Sequence, residues 1–169
     1  MTSKVIGTLG FEFPDSSLQI TAFAGGGNPP LPLVRFSTHK SSTSSINTGG
    51  TIVFNAVSAN DGGGYDSING IFTAPVTGNY LFIAAAEATA TGSLTQPFLN
   101  IVHNAISLSG ARNAPVGPTS AAVVDVMAMV QMTLGDTVRI TFNVGTGTGL
   151  SITGSPSSTR FAGHLISAN

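Results

Sequence analysis

Residues 120–133, SAAVVDVMAMVQMT, alternate with a period of two. Ala122, Val124, Val126, Ala128, Val130 and Met132 make one unbroken apolar face. Successive side chains of a strand point to opposite faces, so this spacing specifies a β-strand with its even positions in a core. The odd positions of a one-sided strand belong to water. Here they read Ala121, Val123, Asp125, Met127, Met129 and Gln131. A second apolar face of this kind marks an interface, because contiguous exposed apolar patches are uncommon on solitary subunits. Burying Val123, Met127 and Met129 gains about 1.5–3 kcal/mol apiece before any cost of association. A covering loop or a slipped register is the alternative. Asp125 on that face needs a partner, since an unpaired buried carboxylate is costly.

Strand 136–144 makes the contrast. Val138, Ile140, Phe142 and Val144 face in, while Thr137, Arg139, Thr141 and Asn143 face out, a one-sided pattern. One sheet is thus expected to be wet outside and the other dry on both faces. Further strands are expected near 33–39, 51–58, 70–73, 79–90, 97–103 and 159–166. Between them lie turn clusters such as Asp61-Gly62-Gly63-Gly64, Asn113-Ala114-Pro115 and Gly145-Thr146-Gly147-Thr148-Gly149. No segment sustains a 3.6-residue period with caps, so the pattern predicts an all-β sandwich or jelly roll.

Residues 65–82, YDSINGIFTAPVTGNYLF, show how the punctuation works. Asn69-Gly70 tolerates positive φ, and Pro75 removes a ladder donor and ends one strand. Gly78-Asn79 permits a turn before Tyr80, Phe82, Ala84 and Ala86 alternate down the next strand.

Residues 1–32 read as an arm and 33–169 as the domain. Short alternating runs, GFEF and LQITAF, flank the turn cluster Pro14-Asp15-Ser16-Ser17, which predicts a small hairpin. Gly25-Gly26-Gly27-Asn28-Pro29-Pro30-Leu31-Pro32 follows as a flexible hinge and polyproline-type extension. A lone two-stranded hairpin is marginal in water, so Val5, Leu9, Phe11, Leu18 and Ile20 are expected to dock on another surface.

Only 8% of the chain is charged, against roughly 25% in an average globular domain, so little repulsion holds subunits apart. A formal net charge of −1 excludes an electrostatic nucleic-acid surface. There is no cysteine, hence no disulfide or thiolate chemistry. The start, MTSKVIGTLGFEF, lacks the apolar core of a secretory signal, and the longest apolar runs are too short to span a bilayer. The expectation is a soluble protein without membrane insertion.

From about Val34 to Ile166 the chain resembles the globular head of complement C1q and its tumour necrosis factor relatives. The resemblance rests first on Tyr65-Asp66, Gly70, Phe72, Ala74-Pro75, Gly78, Tyr80 and Phe82. Arg35-Phe36-Ser37, Ile52, Phe54, Asn60, His103-Asn104, Leu134-Gly135-Asp136, Val138 and the closing Phe161-Ala162-Gly163-His164-Leu165-Ile166 support it in order and spacing. It implies a ten-stranded jelly roll forming a compact homotrimer, with apolar sheets turned to the three-fold axis. The trimer-interface residues are then Val123, Asp125, Met127 and Met129. Animal members usually carry a signal peptide and often a collagen stalk; this chain shows neither, which suggests a microbial or viral surface module.

No constellation points to catalysis or a cofactor. His39, His103 and His164 share no metal-ligand spacing on one element. A ring of His103 about a three-fold axis is weighed below a locally bonded strand-end histidine. Calcium between Asp61 and Asp66 is weighed below turn formation, the commoner role of two acids in a glycine loop. No nucleophile elbow is present, and Gly145-Thr146-Gly147-Thr148-Gly149 has no lysine and opens no helix, so it reads as a hairpin turn. The functional expectation is a non-enzymatic homotrimer. It would be displayed on a viral capsid or tail as a decoration, cement or fibre protein. The alternative is a glycan- or receptor-binding head using loops 58–69, 110–118 and 145–157.

Overall fold

The computed structural model describes residues 4–5, 11–12, 18–19, 31–92, 95–113, 117, 120–146 and 148–168. The chain divides into two compact units, Met1–Pro30 and Leu31–Asn169. In the first, β1 (Lys4–Val5), β2 (Phe11–Glu12) and β3 (Leu18–Gln19) pair antiparallel in chain order. β2 pairs with β3 and β1 adds a third strand, while the turn cluster Pro14-Asp15-Ser16-Ser17 lies outside the described residues. Of the five apolar arm residues, Leu9 and Ile20 lie outside the described residues. Val5, Phe11 and Leu18 are described through backbone pairing alone.

The second unit contains β4 (Arg35–His39), β5 (Ser44–Ser45), β6 (Gly50–Thr51), β7 (Ala56–Asp61), β8 (Tyr65–Asp66), β9 (Ile71–Thr73) and β10 (Gly78–Thr89). It continues with β11 (Phe98–His103), β12 (Ile106–Arg112), β13 (Ala121–Met132), β14 (Thr137–Asn143), β15 (Ser151–Ile152) and β16 (Arg160–Ala168). These form two antiparallel sheets. A seven-stranded sheet runs β5-β15-β10-β16-β4-β7, with β13 along the other edge of β10. A six-stranded sheet runs β12-β11-β14-β9-β8, with β6 also on β14. All regular structure among the described residues is β, and the fold is the jelly-roll sandwich that the alternation predicts.

The even positions of β13, except half-buried Ala128, are buried as their period requires. The aromatic residues of the 65–82 stretch gather in the same core: Tyr65, Phe72, Tyr80 and Phe82 join Phe36, Phe54 and Phe161. Their rings meet in stacked, tilted and edge-on pairs with centroids 4.8–6.3 Å apart, such as Phe36 on Tyr65 at 4.9 Å. Such pairs contribute beyond the area they bury. The Tyr65 hydroxyl donates to the Phe54 carbonyl at 3.1 Å, and burial pushes its pKa up to about 12. The punctuation at 65–82 thus places four rings in one core while β8, β9 and β10 change direction.

Three expectations need correction. The run 51–58 is not one strand. β6 and β7 flank an irregular stretch in which Ile52 and Phe54 are buried. The outward face of β14 is not wet throughout, since Thr141 is only 7% exposed. Finally β12, ISLSGAR, is a full strand where the sequence suggested none. It pairs with β11 through the tight turn Asn104-Ala105, both at positive φ (44° and 69°).

Candidate interaction surface

β10, β13 and β16 lie side by side, so their outward residues fall into rows. Met129, Leu81 and His164 are opposite one another, as are Met127, Ile83 and Ala162. The next rows are Asp125, Ala85 and Arg160, then Val123 beside Glu87. Met129 is 70% exposed, Met127 62%, Val123 44% and Ile83 43%. The odd-numbered apolar residues Val123, Met127 and Met129 of β13 are therefore exposed. Strand register keeps the face apolar across β10, because Leu81 and Ile83 stand at the odd positions of that strand.

Sequence reading placed Val123, Asp125, Met127 and Met129 on this face but missed Leu81 and Ile83. The signal lies in the odd positions of 79–90, where Leu81 and Ile83 alternate with the core residues Tyr80 and Phe82. At the edge, β12 crosses to β13. Ser109 Oγ donates to the Met127 carbonyl at 3.2 Å and Asn113 Nδ2 to the Val123 carbonyl at 2.7 Å. Ile106 and Leu108 on β12 are exposed as well.

The strand charges occupy distinct positions. Asp125 is exposed, two strands from Arg160 in the same row. Glu87 is half-buried and accepts from Thr153 Oγ1 at 3.2 Å. Arg139 belongs to the other sheet, on β14, and is half-buried. On that sheet the polar residues Asn100, Arg139 and Thr141 share the outward face with Phe98, Val102 and Ile71.

The other weighed residues are engaged locally. Asp61 takes the Arg35 guanidinium at 2.7 Å. Asp66 accepts from the Ile68 and Asn69 amides and from Asn69 Nδ2, the turn-forming role, and these bonds lower its pKa. His103 ends β11 in the six-stranded sheet, with Nε2 3.3 Å from Asp136 Oδ2. Among the described residues no three His, Asp or Glu side chains group as metal ligands. At the far end, a groove of about 360 Å³ runs between Asn47, Thr48, Val144, Thr146 and Leu150.

Two antiparallel sheets packed as a jelly-roll sandwich match the fold of C1q- and tumour-necrosis-factor-type domains. The family model of the C1q domain matches residues 35–166, and the chain belongs to that family. The globular domain of zebrafish complement 1qA is similar at a TM-score of 0.64 and 24% identity, covering 80% of this chain and 99% of that one. The tumour necrosis factor Eiger from S. frugiperda is similar at 0.65 and 10% identity, over 82% and 95%. Murine APRIL follows at 0.58 and 12%, over 79% and 99%. At these identities the likeness speaks for the fold.

Proposed function

We propose that this protein is a non-enzymatic homotrimeric module, with the outer face of the seven-stranded sheet turned to the three-fold axis. The observation that carries this reading is the exposed apolar block of Ile83, Met127 and Met129, with half-buried Leu81 beside Met129. C1q- and tumour-necrosis-factor-like domains are typically trimeric and binding, which supports it. The face also carries both signs of charge, Asp125 on β13 and Arg160 on β16, and so suits a second copy of itself. Sedimentation of the intact chain at micromolar concentration is expected to give a trimer. A folded single subunit would overturn the reading.

We further propose that the trimer is mounted on a larger assembly through residues 1–32, with a virion as that assembly and decoration of its capsid or fibre as the task. Support comes from a small sheet-forming unit separate from the sandwich, a Gly- and Pro-rich connection between them, and 8% charge. A chain beginning at Leu33 is expected to remain trimeric and to lose binding to the parent particle. Equal binding by both forms would reject the mounting role while leaving the trimer intact. The recognition reading draws on the hydroxyl- and amide-lined groove beside Thr48 and Thr146, and a glycan array negative with and without calcium would dismiss it.

A further inference from the structure

Lys40 is one of only two lysines in the chain, and it is buried. The inward positions of β4 and its flanks are Val34, Phe36, Thr38 and then Lys40, at 4%, 3%, 2% and 9% exposure. The period-two register that sends Phe36 into the core thus gives Lys40, two residues past Thr38, the same inward direction. The backbone is held there by the Lys40 amide donating to the Thr159 carbonyl at 3.1 Å.

A lysine covered to this extent ordinarily has an acid beside it, but the Lys40 Nζ is not among the buried side-chain atoms without a partner, so its ammonium stays in reach of solvent at the cavity. Among the described residues the Lys40 side chain makes no ion pair and no hydrogen bond within the protein. Glu87, which reaches Thr159 through its backbone amide, has its carboxylate on the Thr153 hydroxyl instead. Lys40 lines a cavity of about 180 Å³ together with Ser44, Ser45 and Thr51, and with Ile46, Ile52 and Ile152 as apolar walls. None of those three hydroxyls is engaged within the protein among the described residues. The cavity is smaller than the roughly 300–1,000 Å³ of a drug-sized site, so it suits a compact group.

We propose that this cavity binds a carboxylate group, with the Lys40 ammonium as its counter-charge and Ser44, Ser45 and Thr51 as hydrogen-bond donors. One cation and several neutral donors match one negative charge. A phosphate dianion would keep an uncompensated charge in a partly apolar cavity, which is unfavourable. Burial also lowers the pKa of Lys40, so a bound anion has a second consequence: it stabilises the ammonium and raises that pKa again.

The test is a titration of the intact chain with acetate against inorganic phosphate, at constant ionic strength in chloride, followed by amide resonance shifts. Saturable 1:1 acetate binding is expected, centred on Lys40, Ser45 and Thr51. Lys40→Met keeps a long side chain and removes the charge, and is expected to weaken acetate by about tenfold or more. Reductive dimethylation with labelled formaldehyde gives a second readout on the unsubstituted chain. The Lys40 dimethylamine resonance is expected to titrate at higher pH in acetate than in chloride, while that of Lys4 is unmoved. Non-saturable shifts, equal binding by the variant, phosphate binding as tight as acetate, or an unmoved Lys40 titration would each overturn the proposal.

Discussion

Gly163 shows how narrowly this core is fitted. It stands opposite Phe36 on β4 and opposite Phe82 on β10, whose rings close over the space a side chain would fill. A Cβ at Gly163 would lie 2.6 Å from Phe36 Cε1 and 2.7 Å from Phe82 Cδ1. These are ring carbons in a packed aromatic cluster, so they cannot swing away as a flexible chain end does. Gly163→Ala is expected to destabilise the fold by about 1–3 kcal/mol, the usual cost of overpacking. Urea unfolding at neutral pH measures it, and an unchanged midpoint would mean that the rings yield freely.

Between elements, the turns are joined by polar side chains. Asp136 closes its own turn by accepting from the Thr133 amide at 2.8 Å, and reaches the β11–β12 turn by accepting from Asn104 Nδ2 at 2.7 Å. Asn104 answers by accepting from the Thr137 amide at 2.9 Å. The Asn104 amide, followed by the Thr133 amide, holds the Asp136 carboxyl well below its ordinary value of 3.8. A depressed folded-state pKa stabilises the fold above the unfolded value and loses that contribution as pH falls through the folded one. Asp136→Asn is therefore expected to lower the melting temperature near neutrality, and the gap to the unsubstituted chain should narrow below about pH 3.8. Melting curves that stay parallel from pH 6 to about pH 2 would contradict this.

At the scale of the molecule, stability and association are linked. A subunit that presents Met127 and Met129 at 62% and 70% exposure gains from burying them against a copy of itself. In the proposed trimer, Met127→Glu with Met129→Glu is expected to give a folded monomer. Its melting temperature should no longer rise with protein concentration, as that of an associating chain does. Circular dichroism separates this outcome from misfolding, since both positions point away from the sandwich core. A variant that still sediments as a trimer would place the interface elsewhere.

Much of this was legible in the chain. Alternation at 120–133 and 79–90 marked β13 and β10, because a period of two has one structural meaning in segments of that length. The fold class followed from many such segments and from the order of the aromatic, glycine and proline positions in 65–82. β12 was not legible. Its hairpin turns at Asn104-Ala105, where Asn-Gly would have been the signal, and its Ser- and Gly-rich run lacks β propensity. Leu81 and Ile83 could be read as outward, but not as neighbours of Met129 and Met127, because register between strands distant in sequence is set by packing. Lys40 was hidden for a related reason. Whether the residue after a strand keeps its inward direction depends on what surrounds it, and here Thr159 and the walls of the cavity hold it there. Local periodicity decided which residues share a face, since that is geometry along one strand. Only the folded chain decided which faces meet, which lie open, and which charge is left without a partner.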